Sequence, residues 1–84
     1  MKSVASTRFW DLYHALPADI QKLADKNFRL WLMNSRYPAL QFKPIANELW
    51  SARVGAHYRA VGKFLDGGTF MWIWIGTHEE YNAF

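Results

Sequence analysis

The spacing of apolar residues changes once along this chain, and the change restricts the possible fold more than any other feature. The first part carries apolar residues at three- and four-residue intervals, as on one face of an α-helix. Two such stripes flank Pro17: Phe9, Leu12, Tyr13 and Leu16, and then Ile20, Leu23, Ala24, Phe28, Trp31 and Leu32. From Glu48 onward the apolar residues follow strand-like runs instead. This order predicts an α+β fold in which helices precede a sheet.

Residues that start and stop helices divide the first part into a helical hairpin. Thr7 is the predicted N-cap of the first helix. Pro17 is predicted to lie in the first turn of the second helix, where its missing N–H costs nothing. That helix is expected to end near Asn34. The segment from Tyr37 to Asn47 contains two prolines and is predicted to be a loop.

Three strand-like runs joined by short turns predict an antiparallel meander after the loop. The strands are expected over Glu48–Gly55, His57–Leu65 and Thr69–Gly76, with Asp66-Gly67-Gly68 as a hairpin turn because glycine tolerates positive φ. Residues 2–6 are a candidate edge strand. The predicted single domain, residues 1–84, is an N-terminal helical hairpin packed on an antiparallel sheet, with a short C-terminal helix or tail.

Alternation along the strands assigns side chains to two faces of the sheet. One face is expected to carry Ser51, Arg53, His57, Arg59 and Lys63. The third strand is apolar on both faces: Met71, Ile73 and Ile75 are expected to face the helices, and Phe70, Trp72 and Trp74 to lie beside the arginines. Basic residues among aromatic rings suit RNA, because rings stack on bases and guanidinium groups pair with phosphates. The alternative interpretation is that the tryptophans fill the core of a small protein.

Composition excludes several classes of protein. With 51% hydrophobic and only 20% charged residues, the 84-residue chain is not expected to be disordered. The absence of cysteine excludes a disulfide scaffold, a thiolate nucleophile and a Cys-ligated metal. The longest apolar stretch is seven residues, Phe70 to Gly76, against the ~20 that span a bilayer. The first residues also lack the apolar region of a signal peptide. We therefore expect a cytoplasmic protein that does not bind membranes.

Positive charge is concentrated in the middle of the chain. The net charge is +3, but the segment from Arg29 to Lys63 holds six basic residues and one acidic residue, Glu48, which gives that segment +5. Such a segment suits an anionic partner, either a nucleic acid or an acidic protein. Ordinary solubilising charge is the alternative.

The residue types that remain after a motif search could cleave RNA without a metal. The sequence has no HExxH, no G-x-S-x-G and no Gly-rich phosphate loop before a helix, so no metal or other cofactor is expected. In such cleavage the RNA's own 2′-OH attacks the neighbouring phosphorus. Arginine can neutralise the crowded phosphorane, histidine can transfer protons, and tyrosine can stack or transfer a proton beside a cation. Arg53, Arg59, His78 and Tyr81 supply these types. Surface or packing roles are the alternative.

Three short motifs carry the family information in this chain. They are Leu49-Trp50-Ser51-Ala52-Arg53-Val54, His57-Tyr58-Arg59-Ala60-Val61 and Trp74-Ile75-Gly76-Thr77-His78-Glu79-Glu80-Tyr81. Together with the order of two helices, a meander and a tail bearing His and Tyr, they resemble the RelE/ParE superfamily of toxins from bacterial type II toxin–antitoxin modules. The resemblance covers nearly the whole chain. It implies a RelE-like fold and a ribosome-dependent mRNA endonuclease that holds the message on its sheet.

The resemblance also implies roles for individual residues. Arg59 matches the family arginine that stabilises the scissile phosphate, and Arg53 matches a basic residue that contacts the phosphate backbone. His78 falls where related toxins carry an arginine or a histidine that serves as the acid. Tyr81 matches a C-terminal tyrosine that stacks on the base or takes part in proton transfer. Glu48 lies near a position where one branch uses a glutamate base.

This chain departs from the family pattern at one position, and the residue that acts as the general base is not assigned. Ser51 stands where one branch has a lysine, so this chain carries one cation fewer, and Tyr81, His78 and Glu48 all compete for the role of base. On the basic face of the sheet, the expected RNA-binding residues are Arg53, Arg59, Lys63 and Trp74.

Two other functions are compatible with the same resemblance. Some members of the superfamily poison DNA gyrase instead of cutting RNA, and a non-catalytic module would only bind another protein. The implied partners are mRNA on the ribosome and a small acidic antitoxin that would neutralise the basic segment. The antitoxin, and not this chain, is expected to bind operator DNA.

Overall fold

A five-stranded sheet is the frame of the protein. A computed structural model describes residues 2–83, in the order β1 (Ser3–Ala5), α1 (Thr7–His14), α2 (Ala18–Met33), a 3-10 turn (Pro38–Leu40), β2 (Lys43–Ala46), β3 (Leu49–Val54), β4 (Tyr58–Phe64), β5 (Phe70–Thr77) and α3 (His78–Tyr81). The strands are arranged β1-β5-β4-β3-β2, and β1 is parallel to β5 while the other neighbours are antiparallel. The predicted α+β architecture is confirmed, including the N-terminal edge strand. None of the helices within residues 2–83 is both long enough and apolar enough to cross a membrane.

The two long helices form the predicted hairpin, with small differences at their first residues. Ser6 rather than Thr7 caps α1, because the Ser6 Oγ accepts a hydrogen bond from the Phe9 N–H at 3.1 Å. Both residue types are good caps, so the sequence does not separate them. Pro17 occupies the cap position of α2, one residue before the first turn that was predicted for it.

The segment predicted to be a loop contains a strand, so that prediction was wrong. The strand β2 pairs antiparallel with β3 through a two-residue turn, Asn47 and Glu48, whose φ angles are 48° and 68°. Positive φ at both positions is the turn geometry that matches the twist of two paired strands. Pro44 hid the strand from sequence reasoning, since proline has no N–H. At the edge of a sheet, however, half of the N–H groups face solvent and need no partner.

One extra residue in β5 changes the faces that its aromatic side chains reach. The pairing of β5 with β4 skips Ile73, which forms a β-bulge between Trp72 and Trp74. Phe70 and Trp72 therefore face the helices, where they are 0% and 6% exposed. The expectation that both would lie beside the arginines was wrong, because strict alternation does not allow for a bulge. Trp74 does lie on the face opposite the helices.

The helices cover one face of the sheet, and the core between them contains both aliphatic and aromatic side chains. Trp31 of α2 is 1% exposed, and its ring centre lies 5.1 Å from that of Trp72. The buried members of the cluster are Trp31, Leu40, Ala52, Val54, Ala60, Phe70, Trp72 and Ile75. Ile75 faces the helices as expected, whereas Met71 pairs with Lys63 on the other face. Two of the five tryptophans thus do fill the core.

Candidate functional site

The face of the sheet opposite the helices carries two arginines where β3 turns into β4. Arg53 pairs with Arg59 across these strands, and Arg59 pairs in turn with Gly76 of β5. Directly paired residues point to the same side of a sheet. The side chains of Arg53 and Arg59 therefore project from the same face of the sheet, next to each other.

Arg59 is buried to an extent that is unusual for a charged side chain, with 7% of its surface exposed. Its Nη2 donates to the Gln41 Oε1 at 2.9 Å, and its Nη1 donates to the Ser51 Oγ at 3.4 Å. The ring of Tyr81 lies against the guanidinium group, with 5.2 Å between the ring centre and the Cζ of Arg59. These three partners are all neutral. A buried charge with neutral partners remains poorly compensated, so an anion beside it would be stabilised.

Tyr81 reaches Arg59 because α3 begins immediately after β5. Thr77 caps the helix: its Oγ1 accepts from the Glu80 N–H at 3.3 Å, and the Glu80 Oε1 accepts from the Thr77 N–H at 3.1 Å. One helical turn later, the Tyr81 hydroxyl donates to the Ser51 Oγ at 3.3 Å. The buried Ser51 hydroxyl thus accepts from both Arg59 and Tyr81.

A cleft of about 180 Å³ opens beside these groups. It is lined by Gln41, Arg53, Gly55, Ala56, Tyr58, Arg59 and His78. His78 is exposed at the first position of α3, and its ring centre lies 5.8 Å from that of Tyr81. The Nε of Arg53 donates to the Gly55 carbonyl oxygen at 3.0 Å, which holds this guanidinium group at the wall of the cleft. Two cations and an exposed imidazole therefore meet in one opening.

Trp74 lies on the same face of the sheet as Arg59, two residues before Gly76, which pairs with Arg59. It is 7% exposed, and a Cβ placed on Gly76 would lie 2.6 Å from its ring. Glycine at this position therefore lets the indole pack closely beside the strand. The burial of Trp74 suits a supporting role better than the base stacking expected from the sequence.

Two of the residues singled out in the sequence lie away from the cleft. Glu48 is in the β2–β3 turn, five residues before Arg53, which is about 16 Å along a strand. Lys63 is exposed and lies four residues beyond Arg59 on β4, about 13 Å away. The structure brings together Arg53, Arg59, His78 and Tyr81, but not Glu48 or Lys63.

Sequence reasoning missed Gln41, and it placed Ser51 on the arginine face but gave it no role beyond that of a missing lysine. Gln41 follows the 3-10 turn with a φ of 46°, and its side chain reaches Arg59. No pattern in the sequence marks this contact, because the turn lies in a segment that was predicted to be a loop. Alternation did place Ser51 on the face of Arg53, but it does not show that the Ser51 hydroxyl accepts from Arg59 and Tyr81.

The basic segment of the sequence does not form one basic surface. Arg29 lies on α2, on the helical side of the sheet, whereas Arg53 and Arg59 lie on the other side. The charge available to a partner at the cleft is therefore smaller than the +5 of the segment. Within residues 2–83, no three His, Asp or Glu side chains are grouped so as to hold a metal ion.

Loss of the cap of α3 is expected to loosen the site. In the variant Thr77→Val the shape of the side chain is kept but the capping oxygen is lost, which should lower the free energy of unfolding by about 1 kcal/mol. Urea denaturation followed by circular dichroism would measure the change. Thr7→Val is the matched control, because Ser6 caps α1, and it should have almost no effect. Equal losses in the two variants would contradict the assignment of both caps.

Solved structures with the same arrangement of helices and sheet come from toxin–antitoxin modules. The YoeB/ParE toxin from Agrobacterium tumefaciens is 21% identical, with a TM-score of 0.72 over 93% of this chain and 99% of that chain. The RelB–RelE antitoxin–toxin complex from Methanococcus jannaschii gives 20% identity and a TM-score of 0.74, over 96% and 98% of the two chains. The RelBE2 toxin–antitoxin complex from Mycobacterium tuberculosis gives 23% and 0.67, over 92% and 96%. The fold is thus that of the RelE-like toxins.

Family membership follows from the sequence itself. A family model described as the ParE-like toxin domain matches residues 18–83, which is more than half of the chain. The chain therefore belongs to the ParE-like toxin domain family and is a toxin of a toxin–antitoxin module, which confirms the resemblance seen in its motifs. A comparison with curated proteins gives no significant match.

Proposed function

We propose that this toxin is a ribosome-dependent mRNA endonuclease that uses the 2′-OH of the RNA as its nucleophile and needs no metal. The observation that carries the proposal is Arg59: a buried guanidinium group with neutral partners, beside a cleft that Arg53 and His78 also line. An RNA phosphate would supply the anion that Arg59 lacks. The planar guanidinium fork suits the two non-bridging oxygens of a phosphate.

Each residue at the cleft has a distinct role in this mechanism. Arg59 neutralises the charge that builds up on the phosphorane, and Arg53 holds the adjoining backbone phosphate. The 2′-OH loses its proton as it attacks the phosphorus, and the leaving 5′-oxygen gains a proton. His78 is exposed to the cleft and donates a proton to the 5′-oxygen. Tyr81 either stacks on the base or, after its own hydroxyl proton has gone to solvent, accepts the proton of the 2′-OH. Because Glu48 lies away from the cleft, Tyr81 is the better candidate for the base when His78 is the acid.

Purified toxin incubated with mRNA, with and without ribosomes, tests this function. We expect cuts, mapped by primer extension, only where the message lies on the ribosome. The variant His78→Ala should lower the cleavage rate about 10²-fold, because general acid catalysis is lost. His14→Ala changes an exposed histidine on α1, on the other side of the sheet, and should cleave at the wild-type rate. Intact message with ribosomes present would overturn the proposal, and normal cleavage by His78→Ala would remove His78 from the mechanism.

The second candidate function is poisoning of DNA gyrase, which the ParE-like description of the family favours. DNA also carries phosphates, so a cationic cleft suits both targets. A supercoiling assay with purified gyrase separates them: inhibition of supercoiling with intact mRNA supports this second function. Binding to a partner protein without either effect would instead favour a non-catalytic module.

We also propose an acidic antitoxin as the partner of this chain. Two of the three compared structures are described as complexes of an antitoxin with a toxin. Carboxylates of such a partner could pair with Arg53 and Arg59 and fill the cleft, which would exclude the message. Inhibition by this route requires contact with the sheet face that carries the two arginines.

A further inference from the structure

Gln41 is held at the wall of the cleft by the residues on either side of it. Leu40 is 1% exposed, and the ring of Phe42 stacks on that of Trp50, with 4.8 Å between the ring centres. Between these two anchors the Gln41 backbone is left-handed, with φ 46° and ψ 43°, and its N–H donates to the Pro38 carbonyl oxygen at 3.2 Å. A residue other than glycine seldom adopts this conformation, and residues that do are concentrated at functional sites.

The contact with Arg59 fixes the orientation of the Gln41 amide. A guanidinium group can only donate hydrogen bonds, so the amide atom that lies 2.9 Å from the Arg59 Nη2 must be the oxygen. The amide nitrogen, Nε2, is then a donor, and within residues 2–83 it has no acceptor. Because the Gln41 side chain is exposed and lines the cleft, this donor is available to a ligand that enters there.

The Gln41 Nε2 and the Arg59 Nη2 are close enough to donate to one shared oxygen atom. The C–O and C–N bonds of an amide are about 1.2 and 1.3 Å long, so Nε2 lies within about 5.5 Å of Nη2. A single oxygen can accept from two nitrogens up to about 6 Å apart, which is twice a normal hydrogen-bond length. Each nitrogen carries two hydrogens, and Nη2 uses one of its own for Gln41. The cleft thus has two donors for one ligand oxygen, one charged and one neutral.

We propose that Gln41 is a further catalytic residue, whose Nε2 donates to a non-bridging oxygen of the scissile phosphate that also accepts from Arg59. This inference rests on the proposed cleavage of RNA. The non-bridging oxygens gain negative charge when the 2′-OH attacks the phosphorus, and a donor that is already held in place stabilises that charge. An amide neither takes up nor releases a proton near neutral pH, so Gln41 binds the phosphate but is not the acid or the base.

Dimethyl phosphate tests the contact without cleavage, because it is a phosphodiester anion that has no 2′-OH. In nitrogen-15 NMR spectra of the full chain, it should shift the side-chain amide signals of Gln41 and the Nε signal of Arg59 saturably. Gln21, the other glutamine of the sequence, is the internal control and should not shift. Its Nε2 already donates to the carbonyl oxygens of Tyr13 and Leu16.

Gln41→Glu has nearly the same shape and gives Arg59 a carboxylate as its partner. The Arg59 signal should then no longer shift with dimethyl phosphate, because the buried charge is already compensated. An unchanged affinity in Gln41→Glu would overturn the inference. So would a wild-type shift at Arg59 without one at Gln41, or no shift at either residue.

Single-turnover cleavage on ribosomes tests whether the contact acts in the transition state. Gln41→Met keeps the length of the side chain but has no amide, and it should lower the rate about tenfold. Replacing one non-bridging oxygen of the scissile phosphate with sulfur, a weaker acceptor, gives two isomers of the substrate. The wild-type protein should cleave one isomer more slowly than the other. Gln41→Met should slow cleavage of the oxygen substrate and of the faster isomer, and should slow cleavage of the slower isomer much less.

The possible outcomes distinguish this inference from the proposed function. Equal slowing of all three substrates would leave Gln41 only a structural role and overturn the inference, as would a normal rate in Gln41→Met. If the wild-type protein leaves RNA intact on ribosomes, the proposed function is wrong, and the dimethyl phosphate titration alone decides whether Gln41 binds a phosphodiester.

Discussion

Replacing Arg59 with alanine is expected to reduce the rate of mRNA cleavage by at least about 10²-fold, the largest loss of activity at any single position. The loss follows from the environment of this side chain. It is buried, its partners Gln41, Ser51 and Tyr81 are neutral, and it is less exposed than Arg53, the other arginine that lines the cleft. Removing one preorganised group that stabilises transition-state charge typically costs 10²–10³-fold. Single-turnover cleavage on programmed ribosomes measures the effect.

Three controls separate catalysis from folding at this position. Arg59→Met keeps the length of the side chain and removes its charge, so the free energy of unfolding should be unchanged or raised by about 1 kcal/mol while activity is lost. Arg59→Lys keeps the charge but not the planar fork, and it should retain only part of the activity. Lys63→Ala removes an exposed cation from the same strand and should have a small effect. Normal cleavage by folded Arg59→Met would exclude a role for the guanidinium group.

The variant Trp31→Ala is expected to lower the free energy of unfolding by about 3–5 kcal/mol, a large part of the 5–15 kcal/mol typical of a folded domain. Trp31 is 1% exposed, and its ring lies within 5.7 Å, centre to centre, of the rings of Phe42, Phe70 and Trp72. Alanine would leave a void among these rings that the strands beneath cannot collapse to fill. Urea denaturation followed by far-ultraviolet circular dichroism measures the loss.

Trp10→Ala is the matched control for this stability effect, because it removes the same side chain from a surface helix. Trp10 is 46% exposed, so its removal should cost less than about 1 kcal/mol. Losses of equal size in the two variants would show that the core is not centred on Trp31.

Sequence reasoning placed correctly the elements in which an apolar pattern continues over several residues without interruption. Both long helices and strands β3, β4 and β5 were predicted within about one or two residues. The helices have a clear period of 3.6, β3 and β4 alternate with a period of 2, and β5 is a continuous apolar run that follows a glycine turn. Strand β2 was missed because Pro44 breaks the pattern and only its position at the edge of the sheet makes the proline acceptable. That position is a property of the assembled sheet and is not visible in the segment itself.

The candidate site was only partly predictable from the sequence, because several of its contacts join residues that are far apart along the chain. Alternation puts Arg53 and Arg59 on one face from the sequence, and the structure has them paired. The contact between Gln41 and Arg59 joins residues eighteen positions apart across a strand, and no local pattern encodes it. The neutral groups around Arg59 come from Gln41, from Ser51 of β3 and from Tyr81 of α3, so its surroundings could not be read from neighbouring residues.

Because of the bulge at Ile73, β5 can lose one residue without moving its other side chains to the opposite face, whereas β4 cannot. If Ile73 were lost, Trp72 and Trp74 would alternate regularly, and each would stay on its present side of the sheet. Loss of one residue from the regular part of β4 would instead move the side chains on one side of the deletion to the opposite face of the sheet. Either Arg59 would then enter the hydrophobic core or Ala60 would leave it. Among related chains, changes of length should therefore accumulate in the last strand before the C-terminal helix and be rare in the strand that carries the buried arginine.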